Sequence, residues 1–511
     1  MVRRASYRRT LLAFYIAGII VGGGILALPF VAINSGLIPV IMFLVIFAII
    51  FMKIYERVIK SVILTEGITK NKAFGLGLYI DAMRLSGLGK IAILTFTIGL
   101  LMYVFPADLI YIIYGAKSIN LLAMGNYFSM PLVAIGIILM SIVVYIVSQF
   151  RKEQKDLTPI KAMILKIIMM LSIWIFSTAL LSLLSFSINL TLFSAILFTF
   201  SLIIGEFFPE KFITITKDKN EEIHPRHQSS ALLTVFKIFS IISVALMGLL
   251  IIVFFGTLSE NYVIYTLDPL KLLEPVGVII FMYIGSGVYN ILIYKWIVSD
   301  RRESSIILLL GILISLITYV IFTVAIILSV DPSILLLSNR NREHALIALA
   351  RKLEIVGLNL LSYFVITFAA IFAIISVSVA YLGFTDTLAD RISSEIEVDR
   401  NHLWILITLV TLFSVIAIEI FDIEDIVVEA LGIAGNAGGG LFLMFIPWLL
   451  KTYDEKPKQG LAIIFLALIV FINIVDFLNA VSLVGKISNI ISTIIVILLG
   501  MLTLIERKKQ Q

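Results

Sequence analysis

The stretch Gly18-Ile-Ile-Val-Gly22-Gly23-Gly24-Ile-Leu-Ala-Leu-Pro29-Phe30 lies in the middle of the first long apolar segment of the chain. Glycine weakens a helix by about 1 kcal/mol, so three glycines in succession predict an interrupted hydrogen-bond ladder. At membrane depth, such bare backbone is tolerated only where it lines a cavity. The N–H groups of the outer half-helix would then face an anionic group such as a carboxylate. The alternative is that the small residues only permit close helix packing.

A second glycine-interrupted stretch, Tyr283-Ile-Gly285-Ser286-Gly287-Val-Tyr289-Asn290, lies in a later apolar segment that begins at Glu274-Pro275. Two such spans in corresponding positions of two halves are typical of the central site of a transporter. The first span is predicted to run outward and the second inward, as an inverted repeat requires. We therefore expect the two ladders to break at similar depth and to face each other.

Composition places the chain in a membrane. Its 511 residues are 60% hydrophobic and 14% charged, with a mean hydropathy of +1.11, which excludes a soluble globular fold. A spanning helix needs about 20 apolar residues, whereas barrel strands are much shorter. The sequence thus predicts an all-α integral membrane protein with about 14 transmembrane helices. The predicted segments are 10–33, 37–63, 91–116, 130–150, 161–186, 188–208, 230–256, 274–298, 304–330, 355–385, 402–420, 426–450, 460–481 and 487–506.

The basic residues predict the orientation. Alternate connections carry 30 Lys and Arg on one side and 7 on the other, which favours cytoplasmic N- and C-termini and a multi-pass protein of the plasma membrane. The net charge of +6 is modest and gives no indication of nucleic-acid binding. An outer connection at 341–354 has apolar residues at helical spacing, and is either a short amphipathic helix or a solvated loop.

The sequence gives no sign of an enzyme or a cofactor. It has no cysteine, which excludes disulfides and thiolate chemistry. It has no phosphate-binding glycine loop and no paired histidines of a zinc motif. ATP-driven transport and metal catalysis are therefore not expected, and no obligatory protein partner is evident.

Five stretches together resemble the amino acid/polyamine/organocation transporters, most closely the aromatic amino acid permeases and the amino acid/auxin permeases. The resemblance implies the LeuT-type fold, in which two inverted five-helix repeats form a core with two discontinuous helices. The matching stretches are Gly18–Phe30 for the first helix, Leu101-Met-Tyr103 for the third, Pro275–Tyr294 for the sixth, Tyr381-Leu-Gly383-Phe-Thr-Asp386-Thr-Leu-Ala-Asp390 for the end of the eighth, and Glu429–Gly440 for the tenth.

On this resemblance the chain, 1–511, is a single polytopic transport domain. Residues 10–118 hold helices 1–3 of the first repeat, and 274–450 hold helices 6–10 of the core. Residues 130–256 contain four helices where the fold expects two, so an inserted pair is not assigned. Residues 460–506 add two peripheral helices.

The resemblance also implies a function, the import of an amino acid. Its side chain would meet tyrosines, which favours an apolar or aromatic substrate. The expected partners are thus an amino acid, a proton or sodium ion, and the lipid bilayer. The predicted substrate-binding residues are Val21, Gly22, Gly23, Gly24, Tyr103, Tyr283, Gly285, Ser286 and Gly287.

For ion coupling two mechanisms stay open. Lys237, deep in its segment, and Lys166, nearer a segment end, are candidates because a desolvated lysine can take up and release a proton. Ser376 and Ser378 could instead join first-helix carbonyls, at Ile20 and Gly23, as sodium ligands, or bond back to their own helix.

Two carboxylates complete the list of polar candidates. Asp108, deep in the third segment, is a candidate for binding a proton or a substrate ammonium. Asp476, nearer the end of its segment, is expected at the membrane interface.

Two other functional classes remain. A fourteen-helix flippase for lipid-linked sugars matches the helix count but needs no broken helices. A ligand receptor on the same fold would bind without transport.

Overall fold

The structure is a computed structural model of the chain. It describes residues 23–69, 76–124, 268–284, 301–396, 398–421, 426–480 and 482–510, with residues 13, 17, 20, 21, 199 and 423. Every regular element in these ranges is helical. The α-helices are α1 Leu28–Ser35, α2 Leu37–Thr69, α3 Leu76–Leu85, α4 Lys90–Met124, α5 Pro269–Leu273, α6 Pro275–Ile284, α7 Arg301–Ser329, α8 Pro332–Arg340, α9 Ala345–Ile355, α10 Asn359–Ile396, α11 Arg400–Ile420, α12 Ile426–Ile433, α13 Gln459–Asn479 and α14 Leu483–Gln510. A 3₁₀ turn at Gly23–Leu26 precedes α1, and a π-helix, Ala434–Phe445, followed by a 3₁₀ turn, Ile446–Leu449, continues α12.

Seven of the described helices are long and apolar enough to cross a membrane. The chain is therefore a multi-pass membrane protein, as its composition predicts. The seven spans are Leu37–Thr65, Lys90–Ser118, Ile306–Ser329, Arg400–Ile420, Ile426–Leu449, Gln459–Asn479 and Leu483–Lys509.

Every predicted segment that falls wholly within the described ranges is helical, but three helices extend well beyond the predicted ends: 37–63 continues to Thr69, 91–116 to Met124 and 355–385 to Ile396. The segment expected at 355–385 starts at Asn359 and continues to Ile396, because no glycine or proline follows Gly383 to end it. The four segments predicted within 130–256 lie outside the described residues, so the total of 14 helices stays a prediction.

The core is built around α4, which packs against α10 and the π-helix. Glycine permits the second contact, because a Cβ on Gly438 would overlap the backbone of Tyr103. In the same way, a Cβ on Gly435 would overlap the carbonyl oxygen of Gly277 in α6. The π-helix is buried along its whole length and thus brings α4 and α6 together.

One end of the bundle is held by Arg57 of α2, and we call it the Arg57 end; the charge distribution predicts it to be cytoplasmic. The guanidinium donates to the carbonyl oxygens of Pro447 and Leu450, both at 2.8 Å, and pairs with Glu455 at 2.6 Å. These bonds satisfy carbonyls that the last 3₁₀ turn leaves without helical partners. A hydrogen bond from Lys458, with the nearby Arg57, lowers the pKa of Glu455.

The other end, which we call the His344 end, is covered by α8 and α9. The helix α9 shows that residues 341–354 include an amphipathic helix, since its apolar face is buried. His344 precedes α9 and is fully buried, with Nε2 at 3.3 Å from the hydroxyl oxygen of Ser118 at the end of α4. Burial lowers the pKa of His344 to about 3.

Candidate functional site

The first apolar segment is interrupted where its glycines predict. The backbone N–H of Val21 still bonds to Ala17, but the chain bends at Val21 and continues as the 3₁₀ turn at Gly23–Leu26. The helix α1 starts only at Leu28, with Pro29 in its first turn, where a missing N–H leaves no bond unmade. Since α1 has eight residues, the break lies about 12 Å from its far end, well inside a bilayer core of roughly 30 Å.

The break packs directly against the last described turn of α6. A Cβ on Gly24 would lie 2.8 Å from Cγ of Met282 and 3.0 Å from Cδ1 of Phe281, so only glycine fits without a shift. The ten residues of α6 place this turn about 15 Å from its start, a depth similar to that of the break. The second predicted interruption, Gly285–Gly287, lies outside the described residues.

Four tyrosines, which we call the tyrosine cluster, surround this junction: Tyr55, Tyr103, Tyr283 and Tyr319. Three of their hydroxyls approach consecutive carbonyl oxygens of α6. Tyr55 donates to the carbonyl of Tyr283 at 2.5 Å, and Tyr103 lies at 3.5 Å from that of Phe281. Tyr319 donates to the carbonyl of Ile20 at 2.5 Å and lies 3.5 Å from that of Met282. The cluster thus supplies donors to backbone acceptors on both sides of the junction.

The ring of Tyr103 lies at the centre of the bundle. Its centroid is 5.2 Å from that of Phe281, 5.3 Å from Phe384 and 5.5 Å from Phe442. The ring of Tyr283 is 5.6 Å from that of Tyr319, and its hydroxyl donates to the carbonyl of Leu44 in α2 at 3.0 Å. The structure therefore brings the predicted residues Gly24 and Tyr103 together at Phe281, whereas the side chain of Tyr283 is turned toward α2 and α7.

Asp108 lies further along α4 and is fully buried. The hydroxyl of Thr385 in α10 donates to its Oδ2 at 2.8 Å. Its Oδ1 has no hydrogen-bond partner among the described residues, nor does the carboxylate pair with a cationic side chain there. A buried carboxylate with a free acceptor oxygen is suited to bind a proton or an ammonium group.

The sequence did not single out Tyr55 and Tyr319, the two tyrosines that act on the junction from α2 and α7. Their residue type alone marks them as candidates, because a tyrosine within an apolar span needs a hydrogen-bond partner for its hydroxyl. What the sequence lacks is the identity of that partner, which comes from segments more than 200 residues away in both cases.

Of the remaining predicted site residues, the structure describes the backbone of Ser376 and Ser378 but not the other residues. The helix α10 contains Ser376 and Ser378 in its backbone, and it contacts the 3₁₀ turn that includes Gly23. Six predicted site residues lie outside the described part of the chain: Gly22, Lys166, Lys237, Gly285, Ser286 and Gly287.

Asp476, expected at the membrane interface, lies three residues before the end of α13, and its side chain is turned toward the π-helix. Its carboxylate accepts a hydrogen bond from the side-chain amide of Asn436 in the π-helix, and it lies next to Gly432. The reason is that α13 packs along the π-helix and turns this face inward.

Among the residues that the structure describes, no group of three or more His, Asp or Glu side chains is arranged to hold a metal ion.

No protein-family model matches the sequence, and no curated protein sequence matches it. Among solved structures, the chain is similar to the crystal structure of a mutant manganese transporter from Eremococcus coleocola, at 14% identity and a TM-score of 0.45. That similarity covers 98% of this chain and 96% of the other, and manganese transport is a property of that protein.

Proposed function

We propose that the chain is a secondary active transporter of the LeuT type, which imports an amino acid by alternating access. The observation that carries the proposal is the contact of Gly24, in the interrupted first helix, with Phe281 and Met282 in the last described turn of α6. An interrupted helix inside a membrane protein offers backbone N–H and C=O groups to a ligand. A flippase cavity between two bundles needs no such junction.

The substrate carboxylate would bind at the backbone of Val21–Gly24 and of Gly285–Gly287. The N-terminus of α1 points toward this position, and its dipole favours a negative group. The substrate side chain would lie against Tyr103 and Tyr283. The rings around Tyr103 favour an apolar or aromatic side chain.

For coupling we propose a proton, taken up by Lys237 beside the carbonyls of Ile20 and Gly23, with Lys166 as the second candidate. Asp108 is proposed to bind the substrate ammonium or a further proton through its free Oδ1. Sodium coupling is the alternative, and the contact of α10 with the turn at Gly23–Leu26 supports it. In that case Ser376 would contribute an oxygen ligand.

Uptake into liposomes tests the proposal. The full-length protein is reconstituted and offered labelled amino acids under an inward proton gradient or an inward sodium gradient. We expect accumulation above the external concentration for an apolar or aromatic amino acid, driven by the proton gradient and abolished by a protonophore. Binding without accumulation would indicate a receptor instead. Absence of both binding and accumulation across the standard amino acids would refute the proposal.

A further inference from the structure

The helix α13 carries two polar residues on an otherwise apolar face that is turned toward the core. Residues three and four apart share one helix face. Its opposite face exposes large aliphatic and aromatic side chains such as Ile463, Phe471 and Leu478. The buried residues of the helix are Ala462, Leu466, Ile469, Ile472, Asn473 and Val475, and the partly buried Asp476 lies on the same side.

Among the residues that the structure describes, the carboxylate of Asp476 has one hydrogen-bond partner, and that partner is neutral. The amide nitrogen of Asn436 donates to its Oδ2. No Lys, Arg or His of the described residues lies within ion-pair distance of this carboxylate. The charged side chain that acts on it is another carboxylate, Glu274 at the start of α6. The local charge is therefore negative, and a partly buried negative charge without a cationic partner is costly.

Two amide groups beside Asp476 have unused hydrogen-bonding atoms. Asn436 and Asn473 are both fully buried. Within the described part of the chain, the Oδ1 of Asn436 and both polar atoms of Asn473 have no partner. Buried polar atoms are rarely left unpaired, so the two amide oxygens are acceptors that a ligand could use.

Two contacts fix which face of α13 is turned toward the π-helix. Asp476 accepts a hydrogen bond from Asn436, and two helical turns earlier on α13 Ile469 lies where a Cβ on Gly440 would be. Asn473 follows Ile469 by four residues and precedes Asp476 by three, so helix periodicity places it on the same face as both.

We propose that Asp476, Asn436 and Asn473 form a binding site for a monovalent cation. Carboxylate and amide oxygens are the ligands that hard cations prefer. One carboxylate with two neutral oxygens balances a single positive charge, whereas calcium sites gather several carboxylates. The ion would fasten α13 to the π-helix. This site is separate from the sodium position considered beside Ile20, and it does not depend on which substrate is carried.

Thermal unfolding of the purified full-length protein tests the site, without any substrate. Chloride salts of sodium, lithium and potassium are titrated against choline at constant ionic strength. We expect at least one of the three alkali cations to raise Tm in a saturable manner, by on the order of 2 °C or more at saturation. Binding of radioactive sodium, with the other two ions as competitors, gives an independent measurement.

The variants Asp476→Asn and Asn473→Leu should lose the saturable shift and at least tenfold in ion affinity. If Asp476→Asn does not fold, Asn473→Leu is decisive, since it keeps the volume of the side chain. Asn479→Leu is the matched control on the same helix, where the amide bonds only to the Leu270 carbonyl, and it should keep the shift. The proposal is overturned if Tm responds only to divalent cations, only to pH or to none of these ions, or if the two variants respond as the wild type does.

Discussion

The phenolic oxygen of Tyr319 lies 2.5 Å from the carbonyl oxygen of Ile20, at the point where the first helix ceases to be α-helical. In a continuous helix this carbonyl would accept from the N–H four residues later. Since the chain bends at Val21, another donor must satisfy it, because an unpaired backbone group inside a membrane is costly. A side chain of α7 thus stabilises the interrupted state of a helix 300 residues earlier.

Removing this hydroxyl should impair transport more than folding. Tyr319→Phe loses a buried hydrogen bond, so we expect a loss of about 1–2 kcal/mol in the free energy of unfolding and a strong reduction in uptake. Tyr79→Phe is the control, because Tyr79 is also buried and donates to a backbone carbonyl, that of Phe442, away from the break. Equal uptake by the two variants would show that the Ile20 carbonyl has no role in transport.

A side chain at Gly24 should disturb the contact with α6. Because a Cβ there would lie 2.8 Å from Cγ of Met282, Gly24→Ala must displace the side chains of Met282 and Phe281, at an expected cost of about 1–3 kcal/mol. Gly67→Ala is the control, since nothing lies within 4 Å of a Cβ at that position. Uptake and Tm are measured for both. Normal uptake by Gly24→Ala would mean that the close contact with α6 is dispensable.

The features that sequence could predict are local ones. Gly22–Gly24 and Pro29 indicated the break because glycine and proline act on their own backbone. The apolar spacing around Leu346 and Leu349 indicated the short helix α9 for the same reason. Long apolar segments gave the spans, since length and composition alone decide them.

The features that sequence missed depend on distant partners. Tyr319 reads as an ordinary aromatic residue of a span until Ile20 is placed beside it. The position of Asp476 near the end of its segment predicts an interfacial residue but not its partner, Asn436, which lies forty residues earlier. The π-helix was not expected either, since its glycines fit several packing arrangements equally well.

Asp108→Asn should reduce uptake without loss of stability. The substitution removes a buried charge that has no cationic partner among the described residues, and it keeps an oxygen for Thr385. We expect at least a roughly tenfold reduction in uptake, equivalent to about 1.4 kcal/mol, together with an unchanged or raised Tm. The control is Asp81→Asn, whose carboxylate lies near the surface and pairs with Arg84. If the uptake and its pH profile are those of the wild type, Asp108 binds neither ammonium nor proton.

His344 predicts that stability falls in mild acid. Burial lowers its pKa to about 3 in the folded state, so between about pH 6.5 and 3 the unfolded chain binds a proton that the folded chain does not. Stability should decrease as the pH falls through this range, by about 2 kcal/mol at pH 5 relative to neutral pH.

Comparing Tm at pH 7.5 and pH 5 in the wild type and His344→Gln measures this effect. Glu343 acts in the opposite direction, because burial raises its pKa. Glu343 is present in both proteins, so the difference between them isolates His344. Equal pH dependence in the two would show that His344 becomes accessible and protonated without unfolding.

The coupling ion can be decided because a lysine ammonium and a sodium ion exclude each other. Their repulsion at 4 Å is about 4 kcal/mol even at an effective dielectric constant of 20. If Lys237 reaches the carbonyls of Ile20 and Gly23, its ammonium would bridge them to α10 when protonated and release them when neutral. Lys237→Gln should then abolish proton-driven accumulation but spare exchange of substrate across the membrane, with Lys166→Gln as the comparison. Uptake by the wild type that requires sodium and ignores the proton gradient would instead make Ser376 an ion ligand.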